Sequence, residues 1–103
     1  MKTYTIAFST ESKLDIAKLH HYISHGLHAP ETAARYIDGL RNAIQRLASY
    51  AGSIAVSQNA YIQYLCGQGA RRINYKKRIA ILYMIYDDDF VYIKRVIPGS
   101  LIR

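Results

Sequence analysis

Five cationic side chains fall within eight positions: Arg71, Arg72, Lys76, Lys77 and Arg78. Guanidinium and ammonium groups this close together suit the oxygens of a phosphate backbone, which gives contact with nucleic acid regardless of base sequence. Tyr61, Tyr64 and Tyr75 lie nearby in sequence, and aromatic rings beside cations are what a single strand stacks upon. The same cluster fits two other roles. One is a strand edge kept from aggregating by its charge, and the other is a contact for an acidic protein segment. The residues alone leave all three open.

Cutting a nucleic acid without a metal needs a general base, an acid and cationic stabilisers around the scissile phosphate. The cations are present. No base and acid fall on the same expected sheet face, so no catalytic residue is assigned. All four histidines, His20, His21, His25 and His28, precede Pro30, and Cys66 therefore has no histidine partner in its own half of the chain. His21 and His25 can share a helix face, but a third ligand at metal spacing is missing. These histidines are expected to face solvent, with no metal and no cofactor. Asp87, Asp88 and Asp89 lack the spacing of a calcium loop and read as a hairpin turn. Gly67 and Gly69 lack the following helix that a phosphate loop requires.

The totals narrow the class. A chain of 103 residues is expected to form one domain, residues 1–103, around a single core. Residues 1–50 carry six Lys/Arg against four Asp/Glu, and residues 51–103 carry eight against three, so the net charge of +7 sits mainly in the second half. An excess of this kind calls for an acidic partner, nucleic acid or protein. The ten tyrosines suit surfaces that are dry on one side and wet on the other. A single cysteine permits no internal disulfide, and the opening MKTYTIAFSTESK has no apolar stretch of signal-peptide length, so a reducing cytoplasm is the expected home, with no membrane partner.

The elements that must position these residues follow from periodicity. Lys2 to Ser9 reads as a strand, with Ser9 or Thr10 capping the helix that follows. Leu14, Ile16, Ala17, Leu19 and Ile23 recur at helical spacing until Gly26. Pro30 opens a second helix with an apolar stripe of Ala33, Tyr36, Ile37, Leu40, Ile44 and Leu47, fraying at Tyr50 to Gly52. Residues 60–66 alternate weakly and read as a strand, followed by strands at 70–75, 78–86 and 90–97. The order is β-α-α-β-β-β-β, an α+β fold. Short links make the last four strands an antiparallel meander, joined by the first strand, with the helix hairpin packed on one face of a twisted antiparallel sheet. The 78–86 strand is apolar on both faces, Ile79, Ile81, Tyr83 and Ile85 against Ala80, Leu82, Met84 and Tyr86, so it needs cover on both sides. The helices cover one side only. A partner is expected over Ala80, Leu82 and Met84, with its acidic groups meeting Arg71, Arg72 or Arg78.

The chain resembles the toxins of the RelE/ParE superfamily, from bacterial type II toxin–antitoxin modules. The resemblance spans nearly the whole sequence: ESKLDIAKLHHYIS, then AARYIDGLRNAIQRL, and above all RRINYKKRIAILYMIYDDDFVYIKRVIPG, with Arg72, Tyr83, Ile85, Val91, Ile93, Arg95, Val96 and Gly99. It implies a growth-inhibiting toxin neutralised by a cognate antitoxin. The ParE-like branch, closer to this chain, is associated with poisoning DNA gyrase by binding, without a catalytic site and without stable DNA binding by the toxin alone. That branch implies target contact at Lys94, Arg95, Pro98 and Gly99. The RelE-like branch cuts messenger RNA on the ribosome, and would use Arg72 and Arg78 here. Ala80 and Leu101 stand about where that branch has arginines, and no Tyr or His follows Pro98. The chain also departs from the ParE pattern, with Pro98-Gly99 in place of His-Gly and Ser100 in place of the following Arg. A domain that retains only antitoxin binding is the remaining alternative.

Overall fold

The computed structural model describes residues 2–103. Strand β1 (Thr5–Phe8) leads into helix α1 (Thr10–His21), which runs on into a π-helical turn (Tyr22–Gly26). Ser9 is the cap: its hydroxyl accepts from the Ser12 amide at 2.9 Å, while the Ser12 hydroxyl donates to the Ser9 carbonyl. Helix α2 (Pro30–Tyr50) begins with Pro at its first turn, as expected, and a short 3-10 turn (Ala51–Ser53) ends it. Its buried residues Ala33, Ile37, Leu40, Ile44 and Leu47 are the anticipated stripe, and Tyr36 is only half-buried.

The next segment differs from the sequence reading. Residues 60–66 form helix α3 (Ala60–Cys66) rather than a strand. The Asn59 side chain caps it by accepting from the Ile62 amide at 2.9 Å, and Gly67 ends it with a φ of 98°. Seven residues can be read at either period. The buried pair Ile62 and Cys66, four apart, shows that the helical one applies. A helix this short does not hold on its own. It is held by docking, since burying an aliphatic side chain such as Ile62 contributes about 1.5–3 kcal/mol.

Strands β2 (Arg71–Tyr75), β3 (Ile79–Tyr86) and β4 (Phe90–Pro98) form the meander, one strand shorter than expected. The sheet order is β1-β4-β3-β2, with β2–β3 and β3–β4 antiparallel and β1 parallel to β4, so the sheet is mixed rather than antiparallel throughout. Two tight turns carry the positive φ values that such hairpins require, Lys76 and Lys77 at 51° and 64°, and Asp87 and Asp88 at 55° and 59°. The acidic triplet is a hairpin turn, as read.

Both faces of β3 are buried. On one side, α1 and α2 bring Ile16, Ile37, Leu40, Ile44 and Leu47 against Ile81, Tyr83, Val91 and Ile93. On the other, α3 places Ile62 and Cys66 over Ala80, Leu82 and Ile97, with Leu65, Met84 and Ile102 at the margin. The expectation that a partner covers Ala80 and Leu82 is therefore corrected. Both are fully buried by the chain's own short helix and C-terminal residues, and Met84 alone of the three is partly open. Leu82→Asp would place a carboxylate beneath Ile62, so it reports on folding and not on binding.

Strand β4 carries a bulge. Tyr83 pairs with Ile93 and Leu82 with Arg95, leaving Lys94 as an extra residue. The bulge lies just beyond the end of β1, whose last pair is Phe8 with Ile93. There Ser9 and α1 take over from the missing strand. The Ser9 amide donates to the Ile93 carbonyl at 3.0 Å and the Ser9 hydroxyl to the Lys94 carbonyl at 2.8 Å. Asp15 accepts from the Val96 amide at 3.0 Å and from the Arg95 guanidinium at 2.7 and 3.0 Å. Hydrogen bonds to a charged group contribute about 1.5–3 kcal/mol each, and this carboxylate is mostly buried. Asp15→Asn should lower the free energy of unfolding by about 2 kcal/mol or more, read as a shift of the denaturant midpoint with unchanged slope. An unchanged midpoint would show that the clamp is dispensable.

Candidate partner-binding site

The basic cluster does not act as one unit. Arg71 turns inward: its Nη1 donates to the carbonyls of Gly52 and Ile54 at 3.0 and 2.9 Å, and more weakly to that of Ala51 at 3.4 Å. These are the orphan carbonyls past the end of α2, where a cation is favoured. Tyr83, buried beside it, donates its hydroxyl to the Ala51 carbonyl at 2.8 Å. Arg71 thus ties β2 to the end of α2 and is not free to meet a partner's carboxylates.

Arg72 lies on the opposite face, half-buried, with Nε donating to the Asn74 side chain at 2.9 Å. Its guanidinium lies over Gly99, where a Cβ would come within 3.0 Å of Nη2. The Gly99 amide in turn donates to the Arg78 carbonyl at 2.8 Å, and Pro98 pairs with Ile79. Arg72, Arg78, Pro98 and Gly99 are thereby brought together at one end of the sheet. Arg78, Lys76 and Lys77 are exposed. The Lys76 ammonium stands 5.7 and 5.6 Å from the ring centres of Tyr36 and Tyr75, and the Tyr75 hydroxyl donates to the Tyr36 carbonyl at 3.1 Å.

Lys94 and Arg95 sit away from that end, at the bulge. The Lys94 ammonium lies 5.5 Å from the Tyr92 ring centre. Arg95 is held by Asp15, whose hydrogen bonds raise its pKa further. Cys66 lies near both cations. Burial pushes its thiol pKa up, against the opposing pull of Lys94 and Arg95, so it behaves as a core residue and not as a nucleophile.

His20 and His21 line clefts that the cations of the β2–β3 turn do not. His20 lines a shallow cleft with Phe8, Lys13 and Arg41, and His21 lines another with Leu14 and Lys18. The His21 and His25 rings stand 4.5 Å apart. No group of three or more metal-ligating side chains occurs among the described residues. Nor, among the described residues, is any helix long and apolar enough to cross a membrane.

Tyr64, one of the rings read as a stacking surface, is exposed, and so are apolar residues that were not read as partner-binding. Tyr22, Leu27 and Leu101 are each more than half exposed. Tyr22 and Leu27 line a cleft of about 510 Å³ together with Lys77, Arg78 and Pro98. The only sequence signal for Tyr22 and Leu27 is that the stretch from Leu14 to Leu27 holds more apolar residues than one buried stripe can use.

The pair at the end of α2 also sets a pH limit. Burial pushes the Tyr83 hydroxyl up to about 12, with Arg71 opposing the shift, from an ordinary value of about 10. A raised folded-state pKa means that the stabilisation is complete below pH ~10 and is lost as pH rises through about 12. Over that window the wild type should lose about 2 kcal/mol more stability than Tyr83→Phe. Denaturant titrations at the two ends of the range measure the difference, and equal losses would show that the Tyr83 proton does not matter.

Comparison with known proteins agrees with this architecture. Residues 6–101 match the family model of the ParE toxin of the type II toxin–antitoxin system parDE. No curated protein sequence matches the chain. Among solved structures, the chromosomal ParDE toxin–antitoxin system of P. aeruginosa is similar with a TM-score of 0.72 at 15% identity, covering 93% of this chain and 96% of that one. The RelBE2 toxin–antitoxin complex of Mycobacterium tuberculosis is similar with a TM-score of 0.62 at 21% identity, covering 97% and 95%. YafQ of E. coli strain BL21(DE3) follows with a TM-score of 0.54 at 11% identity, covering 95% and 96%. These likenesses carry the fold, and the match across residues 6–101 carries the family: the chain belongs to the ParE toxins of type II toxin–antitoxin systems.

Proposed function

We propose that this toxin arrests growth by binding DNA gyrase, without cutting nucleic acid itself, and that a cognate antitoxin neutralises it. The observation that carries the reading is the match to the ParE toxin family over nearly the whole chain. Side-chain placement supports a binding mode of action. Arg71 serves the end of α2, Arg95 serves Asp15, and His20 and His21 line clefts that Arg72 and Arg78 do not. The ribonuclease alternative needs a base beside Arg72 and Arg78, and no histidine stands with them in the cleft lined by Arg78.

Target contact is assigned to Lys94, Pro98 and Gly99, with Arg95 acting indirectly by fixing the bulge that presents Lys94. Antitoxin contact is assigned to Arg72, Arg78 and the open part of Met84. The similar ParDE and RelBE2 structures, a toxin–antitoxin system and a toxin–antitoxin complex, support an antitoxin partner here. The cytoplasm is where such a toxin meets its target.

Expression in a sensitive bacterium tests the target. Filamentation and a DNA-damage response should appear while amino-acid incorporation continues, and Lys94→Glu should weaken both. An immediate halt in incorporation, with codon-specific cleavage of ribosome-bound mRNA that disappears in Arg78→Ala, would replace gyrase with the ribosome.

A further inference from the structure

The last turn of α1 and the π turn carry His21 and His25, four positions apart. Residues at that spacing share one side of a helix, with Cβ atoms about 5–6 Å apart. Their rings stand close, with centres 4.5 Å apart and an interplanar angle of 35°. Both residues are exposed, and no carboxylate is ion-paired with either among the described residues. Two imidazoles on one metal, with N–metal bonds of about 2.0–2.1 Å, bring their ring centres to about 4.5–5 Å. The separation in the protein falls at the short end of that range.

The backbone around the pair is already held. Ile23, between the two histidines, is buried. The Leu27 amide donates to the Tyr22 carbonyl at 3.0 Å, and the Ala29 amide to the Ile23 carbonyl at 3.2 Å. Only two side chains therefore need ordering when an ion arrives, which keeps the entropic cost of binding low. π-Helical turns are uncommon and concentrate at functional positions.

The donors select the ligand. Imidazole suits nickel, copper and zinc, whereas magnesium and calcium call for oxygen. A closed zinc site needs four protein ligands, and no group of three or more metal-ligating side chains occurs among the described residues. An open chelate needs only two. A pair of histidines four apart on one helix face is also the core of helical zinc sites. Lys18 lines a cleft with His21, and its charge opposes a cation there.

We propose that His21 and His25 chelate a divalent ion of the nickel, copper and zinc class, with water in the remaining positions, and that the ion staples the end of α1 to the π turn. The Tyr22 ring, which lies across Gly26 inside that turn, is held with it. The site uses none of the residues assigned to antitoxin or target contact.

Calorimetric titration of the tag-free chain with NiCl2, CuCl2 and ZnCl2 tests the site. About one ion should bind per chain, copper more tightly than nickel or zinc. His21→Ala and His25→Ala should each weaken binding at least about tenfold. His20→Ala should leave it unchanged, and so should His28→Asn, a substitution suited to the positive φ of 53° at that position. Lys18→Ala should tighten binding about two- to threefold by removing a like charge. A saturating ion should raise the melting temperature of the wild type by about 5 °C or more, and His21→Ala should abolish the shift. All five residues are exposed, and circular dichroism checks that each variant folds. Dissociation constants above about 100 μM for all three ions overturn the site. A loss of affinity spread evenly over the four histidine variants overturns it too, by showing adventitious binding to any surface imidazole.

Discussion

Past Phe8, β4 loses its strand neighbour while still carrying backbone groups that need partners. One hydroxyl, one amide and one carboxylate supply them. Ser9 serves the carbonyls of Ile93 and Lys94, and Asp15 serves the Val96 amide together with the Arg95 guanidinium. Buried backbone groups without partners are costly, so α1 is bound to lie along this edge and nowhere else. Its position then fixes the π turn that continues it and the cleft between that turn and Pro98. The bulge at Lys94 sits inside the same set of bonds. One clamp therefore determines both where the Lys94 ammonium points and where that cleft opens.

Much of this was legible in the sequence because the signals are local. The Ser9 cap, Pro30 at the start of α2 and the Ile37, Leu40, Ile44 and Leu47 stripe each act within a few residues. The acidic turn at Asp87 and Asp88 was equally readable. The requirement that β3 be covered on both faces was also sound. What covers it was not legible, because seven residues with Tyr61, Gln63 and Leu65 in alternation fit a strand, while Ile62 and Cys66 fit a helix turn, and only docking decides. The candidate site was harder. Arg95 finds Asp15 across 80 positions, and Arg71 reaches carbonyls 17 to 20 positions away. No spacing rule links such pairs. Two arginines that looked available for recognition are therefore structural.

This division changes what the positive charge does. The net charge of +7 pointed to an acidic partner, nucleic acid or protein. In the folded chain Arg71 and Arg95 are internal supports, Arg72 lies over Gly99, and Lys94 stands apart beside Tyr92. Lys76, Lys77 and Arg78 remain at one hairpin turn, near Tyr36, Tyr75 and Pro98. Such a surface offers an acidic partner both cations and apolar contacts. This placement supports the proposed action by binding.

Stoichiometry tests that claim most directly. Purified toxin would be titrated into a fixed amount of DNA gyrase during supercoiling, and separately into translating ribosomes programmed with a defined mRNA. Action by binding predicts that supercoiling falls in proportion to toxin and ceases near one toxin per target site, while the mRNA stays intact. Loss of many mRNA molecules per toxin, with supercoiling unaffected at saturating toxin, would contradict it.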